Sequence, residues 1–172
     1  QQTLESVLED TEKINNIITG LLTLAKADLD LTSTHLEVLD LTELVGKLQS
    51  EFKQQNLTIE LLTAQEPTNI LANTVLLQIA LTNLISNAFK FSDHQPIQIS
   101  LTQANNDAIL KVTDFGVGIA DEEIDLIFKP FYTKAEKIGK QGQGMGLYMA
   151  AKIVNLFKGT IKVSSKTNIG SS

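Results

Sequence analysis

The nine residues NLISNAFKF, Asn83 to Phe91, decide how this chain is read. Asn83, Asn87, Lys90 and Phe91 follow one another at spacings of four, three and one, which places them on one face of a helix, while Leu77, Leu81, Leu84, Ile85 and Ala88 cover the other. The pattern predicts a long helix from Thr74 to Phe91. Its leucines need a core, and its amides and ammonium face away from it. Amide oxygens suit a hard cation such as Mg2+, and Lys90 can meet phosphate oxygens. A solvated helix face accounts for two asparagines and a lysine just as well.

Downstream, IQISLTQ (Ile97 to Gln103) and AILKVTD (Ala108 to Asp114) alternate apolar and polar residues across a turn at Asn105 to Asp107 and predict a hairpin. It runs directly into DFGVGIA, Asp114 to Ala120. A carboxylate at a strand end can accept a hydrogen bond from an exocyclic amine such as that of adenine, and glycines at 116 and 118 let backbone approach a ring. An ordinary Gly-rich turn opened by an aspartate reads the same way. Further on, GQGMGL (Gly142 to Leu147) opens a helix predicted from about Met145 to Lys158. Its glycines at 142, 144 and 146 bare successive N–H groups at a helix start, where an anion is favoured. Neither the Walker spacing nor GxGxxG is present.

Upstream, a helix is expected from Leu41 to about Gln54, a strand at LTIELL (Leu57 to Leu62), a turn around Pro67 and a short strand at NILA. TIKVSS, from Thr160, is expected to close the chain as a last strand. The order of elements is that of an α+β layered fold rather than a doubly wound one.

Composition narrows the function classes. A formal charge of −6 without a basic stripe argues against nucleic acid as partner. All 14 basic residues are lysines, so phosphate contacts would come from point charges rather than bidentate forks. The lack of cysteine removes disulfides, thiolate metal sites and cysteine nucleophiles and is compatible with a reducing cytoplasm. His35 and His94 have no second ligand at metal spacing. No stretch reaches the roughly 20 apolar residues that span a bilayer.

Taken in order, the Asn-bearing helix, D-x-G-x-G after a hairpin, IFKPFYT (Ile127 to Thr133), a hydrophilic loop and G-x-G-x-G-L at a helix start resemble the ATPase domain of bacterial sensor histidine kinases, over roughly residues 38 to 170. The resemblance implies a two-layer α/β sandwich of the Bergerat or GHKL type. On matching positions it implies that Asn87 binds Mg2+ with Asn83 in support, that Lys90 contacts phosphate and that Phe91 flanks the nucleotide. Asp114 would anchor adenine, with Gly116, Gly118 and Ile119 shaping the base pocket. Gly142, Gly144, Met145, Gly146 and Leu147 would receive the phosphates of ATP as a lid from about Thr133 to Gln141 closes. Phe128 and Phe131 resemble the hydrophobic latch of that lid, although two buried core phenylalanines would look alike. Phe115 stands where the family often has a small polar residue, and the lid lysines 134, 137 and 140 replace any arginine. In gyrase and mismatch-repair relatives of the superfamily a glutamate one turn before the metal-binding asparagine activates water; that place is Asn83 here.

Residues 1 to about 27 carry an apolar seam at alternating spacings of three and four, Leu4, Val7, Thr11, Ile14, Ile18, Leu21 and Ala25. They resemble the second helix of the family's dimerisation and phosphotransfer domain, so the expected organisation is that helix over 1–29, a linker and first short strand over 30–40, and the catalytic domain over 41–172 with its last strand missing. The resemblance implies that the phosphoacceptor histidine and its adjacent acid lie upstream of Gln1. It further implies a homodimer through a helical bundle in the whole protein, a response-regulator receiver domain as partner, a cytoplasmic location for this portion and a membrane anchor only outside it.

Overall fold

Asn73 and Asp40 start the two helices that organise the domain. In the computed structural model, which describes residues 35–63, 67–133 and 144–172, α1 (Leu41–Gln54) begins where Asp40 Oδ1 accepts the N–H of Thr42 at 2.9 Å. The helix α2 (Thr74–Phe91) begins where Asn73 Oδ1 accepts the N–H of Leu76 at 3.0 Å. Each cap satisfies one of the N–H groups that a helix start leaves without an intrahelical acceptor. The predicted helix from Thr74 to Phe91 is found to the residue. The segment 1–34, with its seam and the first-domain assignment, lies outside the described residues, as do Gly142 and most of the expected lid.

Strands β1 (Glu37–Asp40) and β3 (Asn69–Ala72) pair antiparallel, with Val38 opposite Leu71. The main sheet has the order β2-β4-β5. In it β2 (Ile59–Thr63) runs parallel to β4 (Ile97–Ala104), and β4 runs antiparallel to β5 (Asp107–Thr113). The parallel pair requires a crossover, which here contains β3 and α2. Alternation along β4 buries Ile97, Ile99 and Leu101 on the face that meets the helices. There they join Leu44, Val45, Leu48 and Phe52 of α1 and Leu77, Leu81, Ile85, Ala88 and Phe89 of α2 in one core. The Phe52 and Phe89 rings lie 5.6 Å apart in a tilted arrangement. This is the expected two-layer α+β sandwich.

A second, smaller cluster joins α2 to α3 (Gly146–Leu156) through Ala80, Ala150 and Ile153. Two alanines at the contact let these helices approach closely. The C-terminal segment differs from the reading of TIKVSS as a strand. The ladder there is β6 (Ser165–Lys166) against β7 (Gly170–Ser171), extended by mutual bonds between Ser164 and Ser172 of 2.9 and 2.8 Å. Thr160 to Val163 run outside any ladder. An isolated bridge ties Asp114, just after β5, to Ser171 of β7.

Candidate functional site

The polar face of α2 is where the other motifs meet. Asn83 and Asn87 are half-buried on it, and Asn83 Nδ2 donates to the carbonyl of Ile79 at 3.0 Å. That bond uses the donor side of the amide and leaves its oxygen pointed at the start of α3. A Cβ built on Gly146 would lie 2.9 Å from Asn83 Oδ1 and 3.6 Å from Asn87 Nδ2. Gly146 is therefore where a side chain would fill the space between the two helices. Met145 occupies the cap position of α3 without a side-chain capping bond. The start of α3 thus lies beside the two amides. Met145 and Leu147 are both half-buried there.

At the other end of the same face, the helix runs into the D-x-G-x-G segment. A Cβ on Gly116 would lie 2.2 Å from the Phe91 carbonyl oxygen, and the Val117 N–H donates to that oxygen at 3.3 Å. Only a residue without a side chain allows this approach. Gly118 has φ +69° and lies against the Lys166 carbonyl, where a Cβ would come within 2.2 Å. Lys90 lays its ammonium 5.1 Å from the centre of the Phe91 ring.

Asp114 is buried, with 9% of its surface exposed. Its Oδ1 accepts the Gly116 N–H at 2.9 Å. Burial pushes the carboxyl above the ordinary aspartate range, and the N–H of Gly116 and the N–H and hydroxyl of Ser171 oppose that shift.

The segment between the glycine motifs is fixed by two contacts that the sequence does not announce. Tyr132 Oη donates to Glu123 Oε1 at 2.7 Å, and Glu123 is buried at 7% exposure. Gly144, at φ +69°, lies so near the Tyr132 carbonyl that a Cβ would come within 2.4 Å of it. Phe128 is half-buried, and Phe131 is 74% exposed with φ +64°, so the pair is not the core pair that the sequence left open. Also unannounced are Ser165, Gly170 and Ser171 around Asp114. The signal for them is weak: Asn168, in a left-handed turn at φ +60°, and Gly170 mark a reversal that the strand reading of TIKVSS did not anticipate.

The oxygens offered near α2 are amide oxygens. Among the described residues no three of His, Cys, Asp and Glu cluster as a metal cage. Such a donor set fits a hard cation that keeps water and phosphate as most of its ligands, which is the habit of Mg2+.

Residues 72–172 match the family model described as histidine kinase-, DNA gyrase B- and HSP90-like ATPase. The chain belongs to that family. Over 99% of its length it is 29% identical to the sensor protein SrrB of Staphylococcus aureus (strain MRSA252), of which it covers 30%. It is 30% identical, again over 99% of its length, to the adaptive-response sensory kinase SasA of Gloeothece citriformis (strain PCC 7424), covering 46%. The chain thus spans less than half the length of these curated relatives. Among solved structures it resembles the histidine kinase AdeS of Acinetobacter baumannii, with 25% identity, a TM-score of 0.77, and coverage of 98% of this chain and 80% of that one. Among the described residues no helix is long and apolar enough to cross a membrane.

Proposed function

We propose that the chain is the ATP-binding catalytic portion of a sensor histidine kinase, working in two-component signalling. The observation that carries this reading is the convergence on α2: Gly146 at Asn83 and Asn87, and Gly116 at the Phe91 carbonyl. A nucleotide laid along that face would meet a base anchor at one end and amides with a helix start at the other.

In this reading Asn87, supported by Asn83, holds Mg2+, and Lys90 contacts the phosphates. Phe91 flanks the nucleotide, and Asp114 accepts the adenine amino group. Gly116, Gly118 and Ile119 form the base pocket's backbone wall. Gly144, Met145, Gly146 and Leu147, together with Gly142, receive the phosphates at the start of α3. Phe128 and Phe131 carry the lid's latch. Bound Mg-ATP supplies the phosphoryl group and the charge neutralisation that phosphoryl transfer needs. The residues of this chain position it. The acceptor is a histidine outside this sequence rather than His35 or His94, a response-regulator receiver domain takes the phosphoryl group next, and residues 1–29 pair in a dimer of the whole protein.

Hydrolysis as the main activity is disfavoured because Asn83, one turn before Asn87, cannot act as a general base. Calorimetric titration with Mg-ATP tests the proposal. Saturable, Mg-dependent binding that Asp114→Ala abolishes is expected; no binding at all would instead favour a scaffold without nucleotide. Labelled ATP is expected to leave no phosphohistidine on this chain alone, and stable label on it would overturn the assignment of the acceptor.

A further inference from the structure

Near the buried carboxylate lies a hydroxyl with three hydrogen-bond partners on two other segments. Ser165 Oγ accepts the Ile119 N–H at 2.8 Å, donates to the Gly170 carbonyl at 3.0 Å and lies 2.9 Å from Ser171 Oγ. Ser171 in turn exchanges backbone hydrogen bonds of 2.9 and 3.3 Å with Asp114, which sets its hydroxyl beside the Asp114 carboxyl. One side chain therefore links the end of the D-x-G-x-G segment to β7, and through Ser171 it reaches Asp114.

We infer that Ser165 is a positioning residue, whose hydroxyl proton, shared between Gly170 and Ser171, directs the Ser171 hydroxyl onto Asp114 and keeps that carboxylate in the acceptor state that base recognition requires. The inference rests on the reading of Asp114 as the base anchor. A serine hydroxyl has one proton to give. When Ser171 gives its proton to an ionised Asp114, the contact between the two serines needs Ser165 as donor, and its proton leaves the Gly170 carbonyl. When Asp114 is protonated, Ser171 can give its proton to Ser165, which then serves Gly170. Donation from Ser165 polarises Ser171 and strengthens its bond to the carboxylate.

No ionised partner competes for this role among the described residues. The groups that act on the Asp114 carboxyl are the N–H of Gly116 and the N–H and hydroxyl of Ser171. Of the charged side chains on the surrounding elements, Lys90 of α2 lies over the Phe91 ring, while Asp107 and Lys111 of β5 and Lys166 of β6 are exposed. Strand β7 carries no charge.

The test is titration of the chain with Mg-ATP across pH, on the parent, Ser165→Ala and Ser165→Thr. Ser165→Ala is expected to weaken binding about tenfold, the scale of one hydrogen bond near a charged group, and to move upward the pH at which binding is half lost. Ser165→Thr, which keeps the hydroxyl, is expected to restore both. An unmoved or lowered midpoint in the alanine variant overturns the inference. Should that variant not fold, Ser165→Cys, with a weak S–H donor, is expected to shift the midpoint in the same upward direction, and a cysteine variant identical to the parent overturns it equally. Binding that depends on Asp114 but ignores Ser165 sinks only the serine, whereas a parent chain that binds no nucleotide at any pH sinks the site reading and this inference together.

Discussion

Gly146 stands against Asn83 so closely that a Cβ on the glycine would lie 2.9 Å from the amide oxygen. The atom in the way is the end of a side chain that can swing, and alanine favours a helix over glycine by about 1 kcal/mol. Gly146→Ala is therefore expected to leave the melting temperature unchanged or raised. It should nevertheless reduce Mg-ATP affinity by about tenfold or more, because Asn83 is driven off its bond to Ile79 and the start of α3 is filled. A parallel fall in stability and binding would show that the amide position is not what links the two helices to the ligand.

Asn87 is half-buried on the same face and carries no cap or core contact that the fold needs. Asn87→Ala is expected to change unfolding free energy by about 0.5 kcal/mol or less. The difference between nucleotide affinities with and without Mg2+ should vanish. Titrations in the presence of Mg2+ and of a chelator measure it, and an undiminished difference would move the metal away from this residue.

Asp114 gives stability and binding opposite dependences on pH. Its carboxyl is raised above 3.8 by burial in the folded state, so between that value and the raised one the native chain holds more protons than the unfolded chain. The contribution of this group to stability is then fullest below the unfolded value and is lost as pH rises through the folded one. Binding that uses the carboxylate as acceptor goes the other way and weakens on acidification through the raised value. Asp114→Asn is expected to remove both trends, to keep or raise the melting temperature at neutral pH, and to reduce affinity by about tenfold or more. Melting curves and titrations over the same pH series check it; stability that rose with pH in the parent and not in the variant would reverse the expected sign and remove its basis.

Gly118 combines a left-handed φ of +69° with the Lys166 carbonyl oxygen 2.2 Å from where a Cβ would stand. The obstacle is backbone and cannot swing aside. Gly118→Ala is expected to cost about 3 kcal/mol, more than φ strain alone, which is about 1–2 kcal/mol. The denaturant midpoint should fall with the slope unchanged. A loss below about 1 kcal/mol would mean that the β6-β7 reversal yields easily.

How much of the fold and the site is legible in the sequence depends on the range of the forces involved. Helix α2 is found to the residue because its signals are local: a capping Asn73, an unbroken apolar face and a Ser-Asp ending. Strand β5 and the glycine approach at Gly116 follow equally from alternation and from the absence of a side chain. The segment TIKVSS alternates like a strand, but strand pairing is set by what lies opposite, and the register places only Ser165 and Lys166 in the ladder. Phe128 and Phe131 could not be told from core residues, since one aromatic ring has the same hydrophobicity at 74% exposure as at none. The Tyr132–Glu123 bond and the serine pair behind Asp114 join residues whose meeting depends on tertiary placement, which no spacing encodes.

The crossover between β2 and β4 has one more implication. Because α2 lies inside the crossover of this parallel pair, the amides owe their place in the native fold to strands distant in sequence that pair with each other. An excised peptide bearing every motif would therefore be inert toward nucleotide. Conversely, ligand added to the intact chain acts as a clasp on the whole sheet, so that occupancy in a refolding mixture counts completed molecules rather than formed helices.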